Sequence, residues 1–571
     1  MLLKLLHKVS VTGIAFALAG SAYAEILVSQ ANIPTVSDPG RIERSLMGQP
    51  GPKFKPAPAV RETSSPPTKL GAKAAKIRFK LTRVLFQGNH LFSQTTLNYI
   101  FQPYLNKTIS LPNLVALTEK VTKKYRDMGY ILSRAFLPPQ EIKQGVVHVQ
   151  IVEGYISKVI IKGKNLNKTR FLLRAYSKKI LASRPLQIHK LERYMLLAND
   201  TPGLNVQAIL TPSKNIPGSA DLTLVANQQR GTAYFIYNNY GTRYIGPNQE
   251  TVGGSLYSLL SPGDNNSVRL STTSRSRELQ YAELVHSQPI TANGVNWSMG
   301  GNYAQTKPGF VLQPLNIISR SAVLFTDFSY SLRRTRSDTV FLHSTLNYQN
   351  ITSSLSALPF YADRIRSVIA GASYQGVDRW YGINNASLDM SQGFNILGAN
   401  FHVNQSRPEG HSQFTKALMT LSRLQELNSR FSLYAALHTQ YAWQALLATE
   451  QFGFGGPDYG RGYDPSEIVG DKGLAGKFEV RLNSPLQWRA LQSIEYYAFY
   501  DAGVIWNIDN VDLPGKQSAM STGLGARFNF IPQLSGEFFI AKPLTRQVAT
   551  QVILGRNGNS ARAFFQLAAH L

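Results

Sequence analysis

The chain has 571 residues, a formal charge of +27, 27 Tyr, 28 Phe, 44 Gly and no cysteine. Without cysteine, neither a disulfide framework nor a thiolate metal site can form. So basic a chain invites a nucleic-acid reading, but aromatics that follow strand alternation behind an export signal do not fit one. Charge alone decides little here.

Residues 1–24 read as a secretory signal peptide. Lys4, His7 and Lys8 precede an apolar run from Val9 to Leu18, and Ala22-Tyr23-Ala24 supplies the small-residue site before Glu25. That run is shorter than the roughly 20 residues a spanning helix needs. A membrane location therefore requires a barrel, since only helices and closed barrels satisfy the backbone in lipid. The mean hydropathy of −0.16 suits a barrel whose lumen face is polar at every second residue.

Residues 25–48 hold one modest helix signal. Asp38 is a candidate cap, Pro39 occupies the first helical position, and Ile42, Leu46 and Met47 form a partial apolar stripe. From 49 to 76, Pro50, Pro52, Pro56, Pro58, Pro66 and Pro67 mark an extended or disordered tether.

Globular texture begins at Ile77. Residues 77–153 read as a strand over Ile77–Phe86, a turn at Gln87-Gly88-Asn89, and a helix from the Ser93 cap through Phe101. A second helix runs from Leu111 to Met128, with extended segments at Tyr130–Leu137 and Val146–Val152. Residues 154–228 repeat that β-α-α-β-β order: strand Ile156–Ile161, turn at Gly163-Lys164-Asn165, helices Lys168–Ile180 and Ile188–Leu197, strands Val206–Thr211 and Ala220–Ala226. One mixed α/β domain fits the same pattern; the matched turns favour two units.

Across 229–571, helical periodicity gives way to short alternating runs. Val295, Trp297, Met299 and Tyr303 share one face, as do Val340, Leu342, Leu346 and Tyr348, and Phe431, Leu433, Ala435 and Leu437. A soluble sandwich alternates similarly, but the export signal and the number of runs point to a transmembrane β-barrel of about 16 antiparallel strands. The last run places Phe565, Leu567, Ala569 and Leu571 on one face and ends on Leu where barrels more usually end on an aromatic.

One stretch breaks the alternation. Phe452 to Tyr463 is glycine-rich and lies between strand-like runs, so it reads as a large loop whose glycines let the backbone turn tightly. Arg461, flanked by Gly460 and Gly462, projects from its tip. Downstream, alternation from Ser493 to Trp506 points Ile494, Tyr496, Ala498, Tyr500 and Val504 at lipid, and Glu495 and Asp501 at the lumen. Spacing leaves two arrangements: Arg461 docks on Asp501, or Arg461 stays at a solvated tip while Asp501 pairs with a barrel lysine. Asp458 and Asp464 invite a cation reading, against which an acidic loop solvated by water is preferred. The 10 His are scattered, and no Ser-His-acid grouping stands out, so no catalytic, cofactor or metal site is expected.

The motif Gly460-Arg461-Gly462-Tyr463 resembles the arginine signature in the sixth extracellular loop of POTRA-containing barrels, and Phe499-Tyr500-Asp501 resembles their F-x-D motif. Tyr500-Asp501-Ala502-Gly503 and Gly523-Leu524-Gly525 read like that family's last strands. The repeated units resemble POTRA domains, including Phe86-Gln87-Gly88-Asn89 and Ile151-Val152-Glu153-Gly154. Together they resemble the TpsB transporters of two-partner secretion, the haemolysin-activator group. That resemblance implies an outer-membrane pore, POTRA domains in the periplasm, and an unfolded TpsA-like exoprotein as partner. It also implies a plug helix in 25–48, and a monomeric barrel among outer-membrane lipid and lipopolysaccharide. Gly460 departs from the Val usual there, which would loosen the loop tip. Competing functions are a barrel-assembly factor of the same superfamily, a passive porin or receptor, and an outer-membrane enzyme.

Overall fold

A computed structural model describes residues 60–62, 76–166, 168–399, 404–486, 488, 490–508 and 514–571. The signal peptide expected at 1–24 and the helix expected within 25–48 lie outside them. Within the proline-rich stretch, Val60–Glu62 forms a short strand, β1.

The first small unit contains β2 (Arg78–Lys80), β3 (Arg83–Gln87), α1 (Gln94–Asn98), β4 (Thr108–Ser110), α2 (Leu111–Asp127), β5 (Arg134–Phe136) and β6 (Val146–Val152). The single strand expected over 77–86 divides in two, with β2 pairing with β4 and β3 running parallel to β6. The division falls at Leu81, fully buried, where the backbone changes partners: Leu81 N–H donates to Lys107 O and Thr82 N–H to Gly145 O. Ser93 caps α1 by accepting from Thr96 N–H at 3.3 Å. That helix stops at Asn98, short of the expected Phe101, because Pro103 leads a separate tight turn over Gln102–Tyr104. Along α2, Leu114, Leu117, Val121 and Tyr125 recur every three or four residues and form one core with Val147, Val149 and Ile151 of β6.

The second unit contains β7 (Tyr155–Lys164), α3 (Thr169–Leu181), α4 (Ile188–Asp200), β8 (Leu204–Pro212) and β9 (Ser219–Gln228). Its sheet runs β1-β8-β9-β7. β1 lies parallel to β8 with Val60 opposite Ala208, so three residues of the expected tether are paired with this sheet. Leu172, Leu173, Tyr176 and Ile180 of α3 share a core with Val206, Leu222 and Leu224.

β9 leads directly into a closed barrel of sixteen antiparallel strands. The first eight are β10 (Gly231–Asn238), β11 (Gln249–Tyr257), β12 (Asn265–Thr273), β13 (Leu279–Pro289), β14 (Val295–Thr306), β15 (Ile317–Arg334), β16 (Asp338–Leu355) and β17 (Leu358–Val377). β18 (Ile383–Gly393), β19 (Thr415–Glu426) and β20 (Phe431–Ala442) follow. A loop then carries its own hairpin, β21 (Phe452–Phe454) with β22 (Ile468–Gly470). The barrel resumes with β23 (Lys472–Pro485), β24 (Ser493–Trp506), β25 (Lys516–Ile531) and β26 (Leu534–Pro543), and β27 (Arg562–His570) closes it against β10. The last loop, before β27, holds a short helix, α5 (Ala549–Ile553).

Outward residues are apolar and exposed, such as Met299, Leu346 and Leu567, while their neighbours face a polar lumen. The closing seam pairs only Tyr234–Asn238 with Gln566–His570, five residues, whereas each other junction described pairs at least eight. The second unit is fixed to the near rim by ion pairs. Arg334 grips Asp200 through Nε at 2.7 Å and Nη2 at 2.8 Å, and Arg336 meets Glu192 at 2.9 Å.

Candidate functional site

The loop from 443 to 471 folds into the lumen, and the inner wall is shaped to receive it. Gly473 and Gly503 leave hollows for Phe452 and Phe454: a Cβ at Gly473 would stand 2.0 Å from Phe452 Cδ1, and one at Gly503 2.2 Å from Phe454 Cδ2. His438 of β20 stacks against both Phe452 (centroids 5.2 Å apart) and Tyr459 (5.7 Å).

Arg461 stands at the centre, buried. Its Nε donates to Asp501 Oδ2 at 3.0 Å and Nη2 to Asp501 Oδ1 at 2.7 Å, a two-pronged grip. The backbone N–H groups of Gly460 and Arg461 donate to the same carboxylate, at 3.2 and 2.9 Å. Arg461 Nη1 reaches Glu479 Oε1 at 2.5 Å, and the guanidinium lies 3.6 Å over the Phe499 ring. Of the two arrangements left open by spacing, Arg461 sits on Asp501; Lys477 stands opposite Asp501 on the neighbouring strand.

Glycines on β25 leave room for the rings beside two cations, Phe499 next to Arg461 and Tyr497 4.1 Å from Arg527. A Cβ at Gly523 would come 2.5 Å from Phe499 Cζ, and one at Gly525 2.4 Å from Tyr497 Cζ. Gly462 passes close to the wall, where a Cβ would stand 2.8 Å from Ser521 Cβ. Tyr463 donates its hydroxyl to Met520 O at 2.8 Å and accepts from Arg546 N–H at 3.3 Å.

Gly460 does not loosen the tip. Its φ is +85°, a conformation costly for any side chain, and a Cβ would lie 2.7 Å from Phe454 Cε1. A valine in this position would have to displace Phe454, so the glycine belongs to the tight packing of this loop. Asp464 is likewise not solvated: it is buried, accepting from Thr550 Oγ1 at 2.6 Å and from Arg562 Nη2 at 2.5 Å.

Sequence reasoning missed most of the charge network behind the arginine. Glu479 also meets Arg481 at 2.7 Å and Arg527 at 3.3 Å, and Arg527 reaches Glu495 at 2.5 Å and Glu537 at 2.8 Å. Three arginines thus interlock with four carboxylates inside the wall, each carboxylate held by at least one arginine. A signal was present: Lys477, Glu479 and Arg481 place charges at every second residue of one strand, which a lipid-facing row cannot carry. Beside the seated loop there remains a cavity of about 760 Å³, lined by polar groups including Arg269, Glu283, Asn347 and Ser466.

Residues 218–528 match the family described as haemolysin secretion/activation protein ShlB/FhaC/HecB, and residues 79–154 match the ShlB-type POTRA domain. The chain belongs to the ShlB/FhaC/HecB family. It is 24% identical over 528 residues to the heme/hemopexin transporter protein HuxB of Haemophilus influenzae strain 86-028NP, spanning 90% of this chain and 92% of that one. Against the outer membrane transporter CdiB of Dickeya dadantii it is 24% identical over 456 residues, 75% of this chain and 76% of the other. In fold it resembles CdiB from Escherichia coli, with a TM-score of 0.71 at 19% identity over 89% of this chain and 93% of that one. BamA from Haemophilus ducreyi gives 0.51 at 14% identity over 87% and 100%. As a member of the ShlB/FhaC/HecB family, the protein is a two-partner secretion transporter of the outer membrane, not an enzyme. Its POTRA domain lies in the periplasm and its cargo is a secreted partner protein. The barrel end next to the small units is accordingly periplasmic, and the 443–471 loop enters from outside.

Proposed function

We propose that both small units, 77–153 and 154–228, are POTRA domains of β-α-α-β-β order that receive the partner unfolded, and that the partner is threaded through the lumen of the 229–571 barrel. In this reading 1–24 is the signal peptide, 25–48 a plug helix and 49–76 its linker, and the barrel works as a monomer surrounded by lipid and lipopolysaccharide. POTRA sheet edges suit an extended client, because strand addition satisfies the client backbone without demanding one sequence. Folding of the cargo outside supplies direction in a compartment without nucleotide.

Gly460, Arg461, Gly462 and Tyr463 act as the tip of a lid, with Phe499 and Asp501 as its seat. The observation that carries this reading is the two-pronged Arg461–Asp501 grip, which holds a whole extracellular loop inside the pore. A loop so placed narrows the lumen to a cavity that a chain in transit must enlarge, so the grip has to be reversible. The test is secretion of the partner into the medium by cells with the intact chain, without it, and with Arg461→Ala. Export that needs the chain and falls in the variant supports the lid. Undiminished export from Arg461→Ala in a folded barrel sinks it.

A further inference from the structure

Between Glu153 and Glu192 the sequence holds no acidic residue and ten Lys or Arg. This stretch contains β7 and α3. Leu172, Leu173, Tyr176 and Ile180 of α3 face the sheet, so the opposite stripe is Phe171, Arg174 and Lys178, with Arg170 beside it, all exposed. Phe171 is 72% exposed. A large apolar side chain on the outermost stripe of a helix, ringed by cations, is not placed there by the core of its own domain.

The position of the helix start accounts for it. Lys168, the cap residue with helical dihedrals, donates Nζ to the Leu259 carbonyl. A Cβ on Gly263 would stand 2.9 Å from Leu172 Cδ2. Both contacts are with the 258–264 turn, which joins β11 to β12 at the periplasmic rim. That turn continues the lipid face of the barrel: Val252 and Leu256 of β11 are exposed outward, and Leu259 and Leu260 in the turn are exposed too. Phe171 lies three residues from Lys168, so their Cβ atoms are neighbours at about 5–6 Å. The stripe therefore starts where the bilayer surface meets the barrel.

We propose that the Phe171–Arg174–Lys178 face of α3 rests on the periplasmic leaflet of the outer membrane, with Phe171 at the acyl boundary and the cations on anionic lipid phosphates. An apolar residue flanked by basic ones is what an interfacial helix face requires. The contact goes beyond transport itself, since it holds in the resting protein without cargo. It sets the height and tilt of the second unit under the bilayer, in addition to the ion pairs that α4 makes to the rim.

Because the chain has no cysteine, Phe171→Cys accepts one fluorophore in the full-length protein, with Lys123→Cys on α2 as an aqueous reference. The labelled proteins go into vesicles of phosphatidylethanolamine with phosphatidylglycerol, or of phosphatidylcholine alone, without partner. Expected is several-fold stronger quenching of the position-171 label by nitroxide lipids than of the reference in the anionic vesicles. Adding Arg170→Gln, Arg174→Gln and Lys178→Gln, or raising the salt, should weaken it. Heat-modified gel mobility verifies the barrel in each variant, and an Arg174→Cys label gives a second reading. Iodide access equal to that of the reference would overturn the proposal. So would equal quenching in phosphatidylcholine, which removes the anionic headgroup, or protection seen only when the partner is added, which assigns the face to cargo.

Discussion

Asp464 in the 443–471 loop and Arg562 at the head of the closing strand are joined at 2.5 Å, Oδ1 to Nη2. Three residues earlier the same loop grips Asp501 on the inner wall. One segment thus ties the lumen side of β24 to the strand that forms the seam. Asp464→Asn should cost the loop about 1.5–3 kcal/mol, the worth of a hydrogen bond to a charged group. The expected outcome is faster hydrogen exchange in 543–561 with the Arg461 contacts intact. Unchanged exchange there would show that the seam and the lid are independent.

Arg461→Ala and Asp501→Ala should each reduce export sharply while leaving a heat-modifiable barrel. Removing one partner of a buried pair costs roughly 3–5 kcal/mol, enough to free a loop. Arg461→Lys is expected to fail as well, because an ammonium cannot hold both oxygens of Asp501 and Glu479 at once. The check is partner secretion together with protease cleavage of the 443–471 loop. The double variant should be no worse than either single one.

Gly460→Val tests the backbone at the tip. A β-branched residue at φ +85° carries strain of about 1–3 kcal/mol, and its side chain meets the Phe454 ring. Loop cleavage should rise relative to the parent, whereas Gly398→Val, equally strained at φ +73° but with nothing within 4 Å of its Cβ, should leave the 443–471 loop seated.

Burial, with the Asp464 charge beside it, pushes the Glu467 carboxyl up to about 7. A carboxyl raised in the folded state contributes stability below its ordinary value near 4.5 and loses it as pH rises through about 7. Burial and Asp464 outweigh the Ala549 N–H, which donates to Glu467 at 2.9 Å and favours its charged form, so the packing of the loop against α5 should slacken as pH rises from about 4.5 to about 7. Proteolysis of the last loop across that range measures it, and Glu467→Gln should flatten the profile.

Much of this arrangement was legible beforehand. Alternation is a local rule, and it put Asp501 on the inner face and Tyr500 on the outer one without knowledge of any neighbour. The docking of Arg461 on Asp501 was legible only as one of two arrangements, since a glycine-rich loop has no period and its path is decided by Gly473 and Gly503, residues distant from its tip. The division at Leu81 escaped for a similar reason: partners Lys107 and Gly145 are remote in sequence. Gly460 was misjudged because flexibility of the unfolded chain was read as looseness of the folded one. There, a positive φ and the Phe454 ring make glycine the residue that fits.

The partners of Arg461 also bear on how the barrel comes together. Glu479 and Asp501 follow it by 18 and 40 residues, while Arg562 lies 98 residues beyond Asp464. Contacts that close short lengths of chain form first. The Arg461 grip therefore closes within the β23–β24 hairpin, whereas the Tyr463 bond to Met520 needs β25 and completes the seat further along the chain. The tie to Arg562 spans the longest stretch of chain, so the loop fastens together parts of the barrel made far apart in sequence.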